Sequence, residues 1–233
     1  MPERLLLVRH GLSTWNEENR WQGWADCPLS EIGEAQAAEA AARLGSAGLT
    51  GVAASDLGRA RRTAEIISAK LGLGEVLPEP GLREYDVGDW EGHTRDEIAA
   101  GWPELYDDWR AGHRTQLPGG ERRHVFEERV IASVGRLAAT ESLGSSPLVV
   151  THGGCIRVIE RYLGADTVAV PNLSGRWVEI DTDLMRSNRR DSGSFGSNHS
   201  DLSATNGAGH GALSAGERVV LLDGVADARR APD

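Results

Sequence analysis

Two apolar runs in the chain stop in the same way. Residues 5–11 read LLLVRHG and residues 147–154 read PLVVTHGG. Each is a short stretch of Leu and Val that meets a histidine and then glycine, which predicts a buried strand rather than a helix. Helical patterns come after both runs. The second is succeeded by CIRVIERYLG, a helix stopped at Gly164, and the stretch SEIGEAQAAEAAARLGSAG at 30–48 runs from a serine suited to N-capping into an Ala, Glu and Leu-rich helix ended by glycine. GVAASD predicts another strand, after which Leu57, Ala60, Ala64, Ile67 and Leu71 recur at helical spacing until Gly72.

Thr94 and Glu97 in TRDE have capping-box spacing and start a helix carrying Trp102 and Trp109, broken or restarted at Gly101 and Pro103. A further helix is expected over about 121–142. Two final strands, GRWVEID and RVVLLDG, flank residues 186–216, which are dominated by Ser, Gly, Asn and Ala. That composition cannot bury enough apolar area to offset the entropy of ordering it, so the segment reads as a disordered insertion.

Strands that alternate with helices predict an α/β fold: a three-layer sandwich with a mostly parallel central sheet flanked by helices, in one domain spanning 1–233 apart from the 186–216 insertion. Ligands of such sheets bind beyond the carboxyl ends of the strands. His10 and His152 both stand at such ends, so the sheet gives them a reason to converge.

Charge narrows the partners. A net charge of -10 argues against a nucleic-acid or anionic-membrane surface, leaving small molecules. No signal peptide or membrane span is apparent, so a cytoplasmic protein is expected. Cys27 and Cys155 are too few and too distant to form a disulfide framework or a zinc site, and no HxH or HExxH spacing supplies metal ligands. Of the 25 basic residues all but Lys70 are arginine, the side chain that grips an oxyanion with two hydrogen bonds at once.

The residues placed just after strands or at helix starts are Arg9, His10, Gly11, Asn16, Arg59, Glu84, His152, Gly153 and Gly154. Two fixed cations, two imidazoles, an amide, a carboxylate and glycine-lined backbone suit a phosphate group. Other residues have plainer readings. Arg61 and Arg62 fit a solvated helix face, the seven tryptophans fit core packing with an aromatic wall for substrate as the alternative, and Cys155 fits a small buried thiol. His113, Arg114, Arg122 and Arg123 could meet a second anionic group or simply be exposed charges, and Asp86, Asp89 and Glu91 compete with Glu84 for an acidic role.

With these segments in view, the chain resembles the histidine phosphatase superfamily, which includes the cofactor-dependent phosphoglycerate mutases. The resemblance is carried by RHG, the Asn in TWNEENRWQGW, DCPLSEIGEAQA, SDLGRARRTA, LREYDVGDWEG, PGGE and THGG, all in the family's order. It implies a phosphoglycerate mutase-like fold, no metal and no cofactor. It makes His10 a nucleophile that forms a phosphohistidine, and Arg9, Arg59 and His152 the holders of the transferring group. Asn16, Gly11, Gly23 and Gly153 would bind substrate, and Glu84 would protonate the leaving alkoxide.

Related mutases commonly carry Asn where this chain has Gly154, Tyr where it has Val87 and Lys where it has Arg95. A mutase must also exclude water, and the Ser/Gly-rich insertion and short tail look poorly suited to that. The expectation is therefore a metal-independent phosphomonoesterase acting on a small phosphorylated substrate. A mutase is the second reading and a non-catalytic phosphate-binding protein the third. A homodimer is left open.

Overall fold

The computed structural model describes residues 1–181 and 213–221. The chain lays down β1 (Arg4–Arg9), α1 (Thr14–Glu17), α2 (Glu31–Leu44), β2 (Val52–Ala54), α3 (Gly58–Leu71) and β3 (Leu77–Pro78). Then come α4 (Arg95–Gly101), α5 (Pro103–Arg110), α6 (Arg123–Ala138), β4 (Leu148–Thr151), α7 (Gly153–Tyr162), β5 (Ser174–Ile180) and β6 (Leu213–Val220). The sheet order is β3-β2-β4-β1-β5-β6. The pairs β1–β4, β2–β4 and β2–β3 are parallel, while β5 runs antiparallel to β1 and β6 to β5.

The strand alternation builds the layers. Leu5 and Leu7 of β1 face one core with Val149 of β4, Val130, Val134 and Leu137 of α6, and Ile156 and Ile159 of α7. Leu6 and Val8 face the other, with Leu148, Val150, Ala40 and Ala41 of α2, and Ala60, Ala64 and Ile67 of α3. These four apolar β1 side chains are at most 1% exposed, and full burial of each is worth about 1.5–3 kcal/mol. A run apolar on both faces is the signature of a central strand covered by helices on both sides. The alanines of α2 and α3 let those two helices pack closely.

Helix boundaries obey local chemistry. Ser30 Oγ accepts from Gly33 N–H at the start of α2, and Thr94 and Glu97 form a complete capping box at the start of α4. Pro103 restarts the chain as α5 after Trp102. The helix expected over 121–142 is shorter, Arg123–Ala138, with a 3₁₀ turn at Glu141–Leu143 after it.

The last strand corrects the reading of the C-terminal region. β6 begins at Leu213, inside the segment expected to be an insertion, and ends at Val220 rather than starting at Arg218. Leu213, Ser214 and Ala215 pair with Ile180, Glu179 and Val178. Small residues join an edge strand because the ladder with β5 satisfies their backbone, a long-range contact that composition does not reveal. The remainder of the expected insertion, 186–212, lies outside the described residues. Among the described residues no helix is long and apolar enough to cross a membrane.

Candidate active site

The two apolar runs that end in histidine become neighbouring strands. β1 and β4 pair in parallel with Arg9 opposite Thr151, so the residue after each is delivered to the same point. His10 N–H donates to Thr151 O at 2.9 Å, and the imidazoles of His10 and His152 meet edge to face with centroids 5.2 Å apart. Both are buried, at 3% and 0% exposure. His10 Nδ1 donates to the Gly11 carbonyl at 2.7 Å, which leaves the ring's lone pair on Nε2.

Burial, then the charges of Arg59 and Arg9, push the His10 pKa well below 6.5. His152 is shifted the same way by burial, Arg59, His10 and Arg9. Both rings are therefore neutral at pH 7. Below pH 6.5 the unfolded chain protonates them and the folded chain does not, so these two histidines make stability fall as pH drops from 6.5 towards their folded pKa values. The urea midpoint is expected to be lower at about pH 5.5 than at about pH 7.5. A midpoint that is flat over that range would contradict the buried neutral pair.

Cations surround the pair. Arg9, 8% exposed, donates from Nη1 to Val170 O at 2.6 Å. Arg59 enters from the first turn of α3 and is 1% exposed, with Nη2 on Gly23 O at 2.8 Å and Nη1 on Ala25 O at 2.9 Å. Arg59 Nε and His152 Nδ1 are among the few buried polar atoms of the described residues that have no hydrogen-bond partner. The other nitrogen of His152, Nε2, lies 2.9 Å from Ser55 Oγ. Buried polar atoms rarely go unpaired, and these two lie at the histidine pair, unlike the indole nitrogens of Trp21 and Trp90 in a separate core that share this property.

The flanking residues are placed by the backbone. Asn16 closes the capping box of α1, its Oδ1 accepting from Ser13 N–H at 3.2 Å, which turns its amide NH₂ away from the cap. Gly11 N–H donates to Thr63 Oγ1, and Gly153 opens α7 beside the Arg9 side chain. Gly23 has φ +47 and offers its carbonyl to Arg59, and a Cβ there would overlap Glu91 Oε1 and so push the loop off that arginine.

Glu84 is brought to the same place by a clamped loop. Its Oε2 accepts from Gly154 N–H at 2.9 Å and its Oε1 from Tyr85 N–H at 2.8 Å. Arg129 of α6 donates to Gly81 O, Arg83 O and Glu84 O at 3.0, 2.6 and 2.7 Å, and its other two donors meet Glu121 of the PGGE segment. All five guanidinium N–H groups are thereby used. Thr151 Oγ1 and Cys155 Sγ hold Leu82 O, and Trp24 Nε1 donates to Glu84 O at 2.8 Å.

The competing carboxylates have other work. Glu91 Oε1 accepts from Trp24 N–H and Ala25 N–H, fixing the loop whose carbonyls hold Arg59, and burial raises its pKa. Asp86 Oδ1 accepts from Gly88 N–H within its own turn. Arg61 and Arg62 form exposed ion pairs with Glu65 and Glu34. Trp21, Trp90 and Trp109 pack edge to face in a third core with Tyr106 and Ile98, whereas Trp24 is 38% exposed under the Arg83 guanidinium. Cys155 is buried, and burial pushes its thiol pKa far up, so it is inert. His113 and Arg114 line an open groove with Asp108 and Gln116 that includes none of His10, Arg59, Glu84 or His152.

Sequence reasoning does not single out Arg129, Ser55 or Asn172. Asn172 Nδ2 donates to His10 O at 2.8 Å, and Ser55 touches His152. Ser55 opens the segment SDLGRARRTA, but its part shows only when β2 lies beside β4. Arg129 and Asn172 carry no local signal.

Comparison with known proteins points the same way as this geometry. The chain is 40% identical over 161 residues, 66% of its length and 72% of the relative's, to the "Probable phosphoglycerate mutase GpmB" of Cronobacter sakazakii. Among solved structures it resembles a mycobacterial glucosyl-3-phosphoglycerate phosphatase in complex with VO3, with TM-score 0.68, 32% identity, and coverage of 76% of this chain and 91% of that one. It also resembles YhfR of Bacillus stearothermophilus, with TM-score 0.69, 33% identity and the same coverage. The alpha-ribazole phosphatase of Shigella flexneri aligns with TM-score 0.67 and 27% identity, covering 76% and 90%. A family model matches residues 5–185, from the strand that delivers His10 to beyond the one that delivers His152, and on that match the chain belongs to the histidine phosphatase superfamily, branch 1.

Proposed function

We propose that the protein is a metal-independent phosphomonoesterase of the cytoplasm that hydrolyses a small organic phosphate through a phosphohistidine on His10. The observation that carries this reading is the pair of buried unpartnered atoms, Arg59 Nε and His152 Nδ1, beside a histidine held neutral by burial. A phosphoryl group supplies acceptor oxygens to both at once.

The chemistry is built from the contacts. Arg9, Arg59 and His152 hold the phosphoryl oxygens and offset the charge of an in-line transition state, with Asn16 adding an amide donor. His10 Nε2 attacks phosphorus with its lone pair while Nδ1–H stays on Gly11 O, and the bond from phosphorus to the ester oxygen breaks. Glu84 gives a proton to that oxygen. Glu84 enters the step protonated, and the monoanionic form of the ester, whose second pKa lies near about 6, is a source of that proton. The carboxylate left behind then takes a proton from water, whose oxygen attacks the phosphohistidine and returns neutral His10 and inorganic phosphate.

The second reading, a phosphoglycerate mutase, draws support from the name of the GpmB relatives. Gly154, Val87 and Arg95 stand against it, since each departs from what related mutases carry. Phosphate release from a panel of monoesters decides between the two, run in EDTA without bisphosphoglycerate and with 3-phosphoglycerate interconversion followed alongside. Release should exceed interconversion by at least about tenfold, against the roughly 10⁶-fold and greater accelerations enzymes reach. Interconversion that appears on adding bisphosphoglycerate, with little release, would establish the mutase.

A further inference from the structure

We propose that Gly154 is a positioning residue that seats the proton donor: the space left by its missing side chain is where the Glu84 carboxylate lies. The proposal rests on the reading of Glu84 as the acid and extends it to what sets that acid's place.

The two residues share one hydrogen bond, Gly154 N–H to Glu84 Oε2 at 2.9 Å. Gly154 lies in the first turn of α7, where N–H groups have no partner within the helix, and its N–H is taken up by Glu84 instead. A Cβ built on Gly154 overlaps Glu84 Oε1 and comes within 2.9 Å of its Cδ. Something must give way, and the backbone on both sides is fixed. Residue 154 is inside a helix whose first turn comes directly after β4. The loop carrying Glu84 has the carbonyls of residues 81 to 84 tied to Arg129, Thr151, Cys155 and Trp24. The movable group is the Glu84 side chain itself. A methyl group at 154 therefore leaves the backbone in place and shifts the Glu84 carboxylate from the seat it holds in this chain.

An acid that is out of place matters in proportion to how badly the leaving group needs its proton. Glycerol phosphate leaves as an alkoxide and needs it; p-nitrophenyl phosphate leaves as a stabilised phenolate and scarcely does. The experiment compares kcat/KM, which reports phosphoryl transfer from the ester and not the later hydrolysis of the phosphohistidine, on these two esters for the wild type, Gly154→Ala, Glu84→Gln and the double variant, with thermal melts to confirm folding. Gly154→Ala should lower kcat/KM on glycerol phosphate by at least about tenfold, towards the roughly 10²–10⁴-fold that a general acid contributes, and on p-nitrophenyl phosphate by less than about threefold. The double variant should be no slower on glycerol phosphate than Glu84→Gln alone, because a residue that acts through another adds nothing once that partner is gone. Equal losses on both esters, or losses that add in the double variant, would overturn the role of Gly154 while leaving Glu84 as the acid. If Glu84→Gln itself loses equally on both esters, the acid assignment fails and the proposal falls with it.

Discussion

Replacing His10 by alanine should slow hydrolysis of every monoester by about 10⁵-fold, equivalent to about 7 kcal/mol on the barrier. The size reflects what is removed. The Gly11 carbonyl fixes the proton of His10 on Nδ1 and leaves Nε2 as the lone pair, while His152 is tied to Ser55 through Nε2 and Glu84 to two backbone N–H groups. The fold should survive, since the His10 side chain makes one hydrogen bond, to Gly11 O, and one ring contact, to His152. Leaving that carbonyl unpaired costs about 1–3 kcal/mol, within the stability of an ordinary domain. Turnover on the panel and a thermal melt check both parts. A variant that keeps more than about a hundredth of wild-type activity would place the nucleophile elsewhere.

Arg59→Lys should lower kcat/KM by about 10³-fold, to a similar extent for alkyl and nitrophenyl esters. The guanidinium spans three directions at once: Nη2 to Gly23 O, Nη1 to Ala25 O, and a buried Nε with no partner. Lysine keeps the charge but is a single point donor that cannot reproduce this planar fork. The loop held by Glu91 would lose its second anchor, and the phosphoryl group a donor. Inhibition by inorganic phosphate should weaken in step. A loss confined to alkyl esters would show that Arg59 acts through the proton donor instead. The two substitutions thus have distinct signatures, loss of all chemistry for His10 and loss of phosphate binding for Arg59.

The site is more legible in the sequence than the fold's edges, for physical reasons. His10 and His152 can be matched because each ends an apolar strand, and the parallel register of β1 on β4 turns that repeated pattern into contact. α3 is readable because its buried Ala60, Ala64 and Ile67 lie on one stripe. Arg129 is not, because its function is to satisfy carbonyls 45 to 48 residues away, and no periodicity encodes that. Asn172 acts across 162 residues on His10 O in the same manner. β6 starts earlier than its composition suggests because Leu213 to Ala215 owe their strand to pairing with β5, while the two-residue β3 is carried only by its bridges to β2. In sequence Gly154 stands out only as a departure from mutases, and its closeness to Glu84 is a matter of tertiary structure.

Trapping the phosphoenzyme bears on the nucleophile with the fewest intervening assumptions. Wild-type protein and His10→Ala are mixed briefly with radiophosphate-labelled monoester and quenched in alkaline detergent, and the label on the protein is followed under acid and base. The wild type should carry label that survives base and is lost in acid, and His10→Ala should carry none. Label that persists in His10→Ala, or a linkage on the wild type that is stable to acid, would contradict a phosphohistidine at His10.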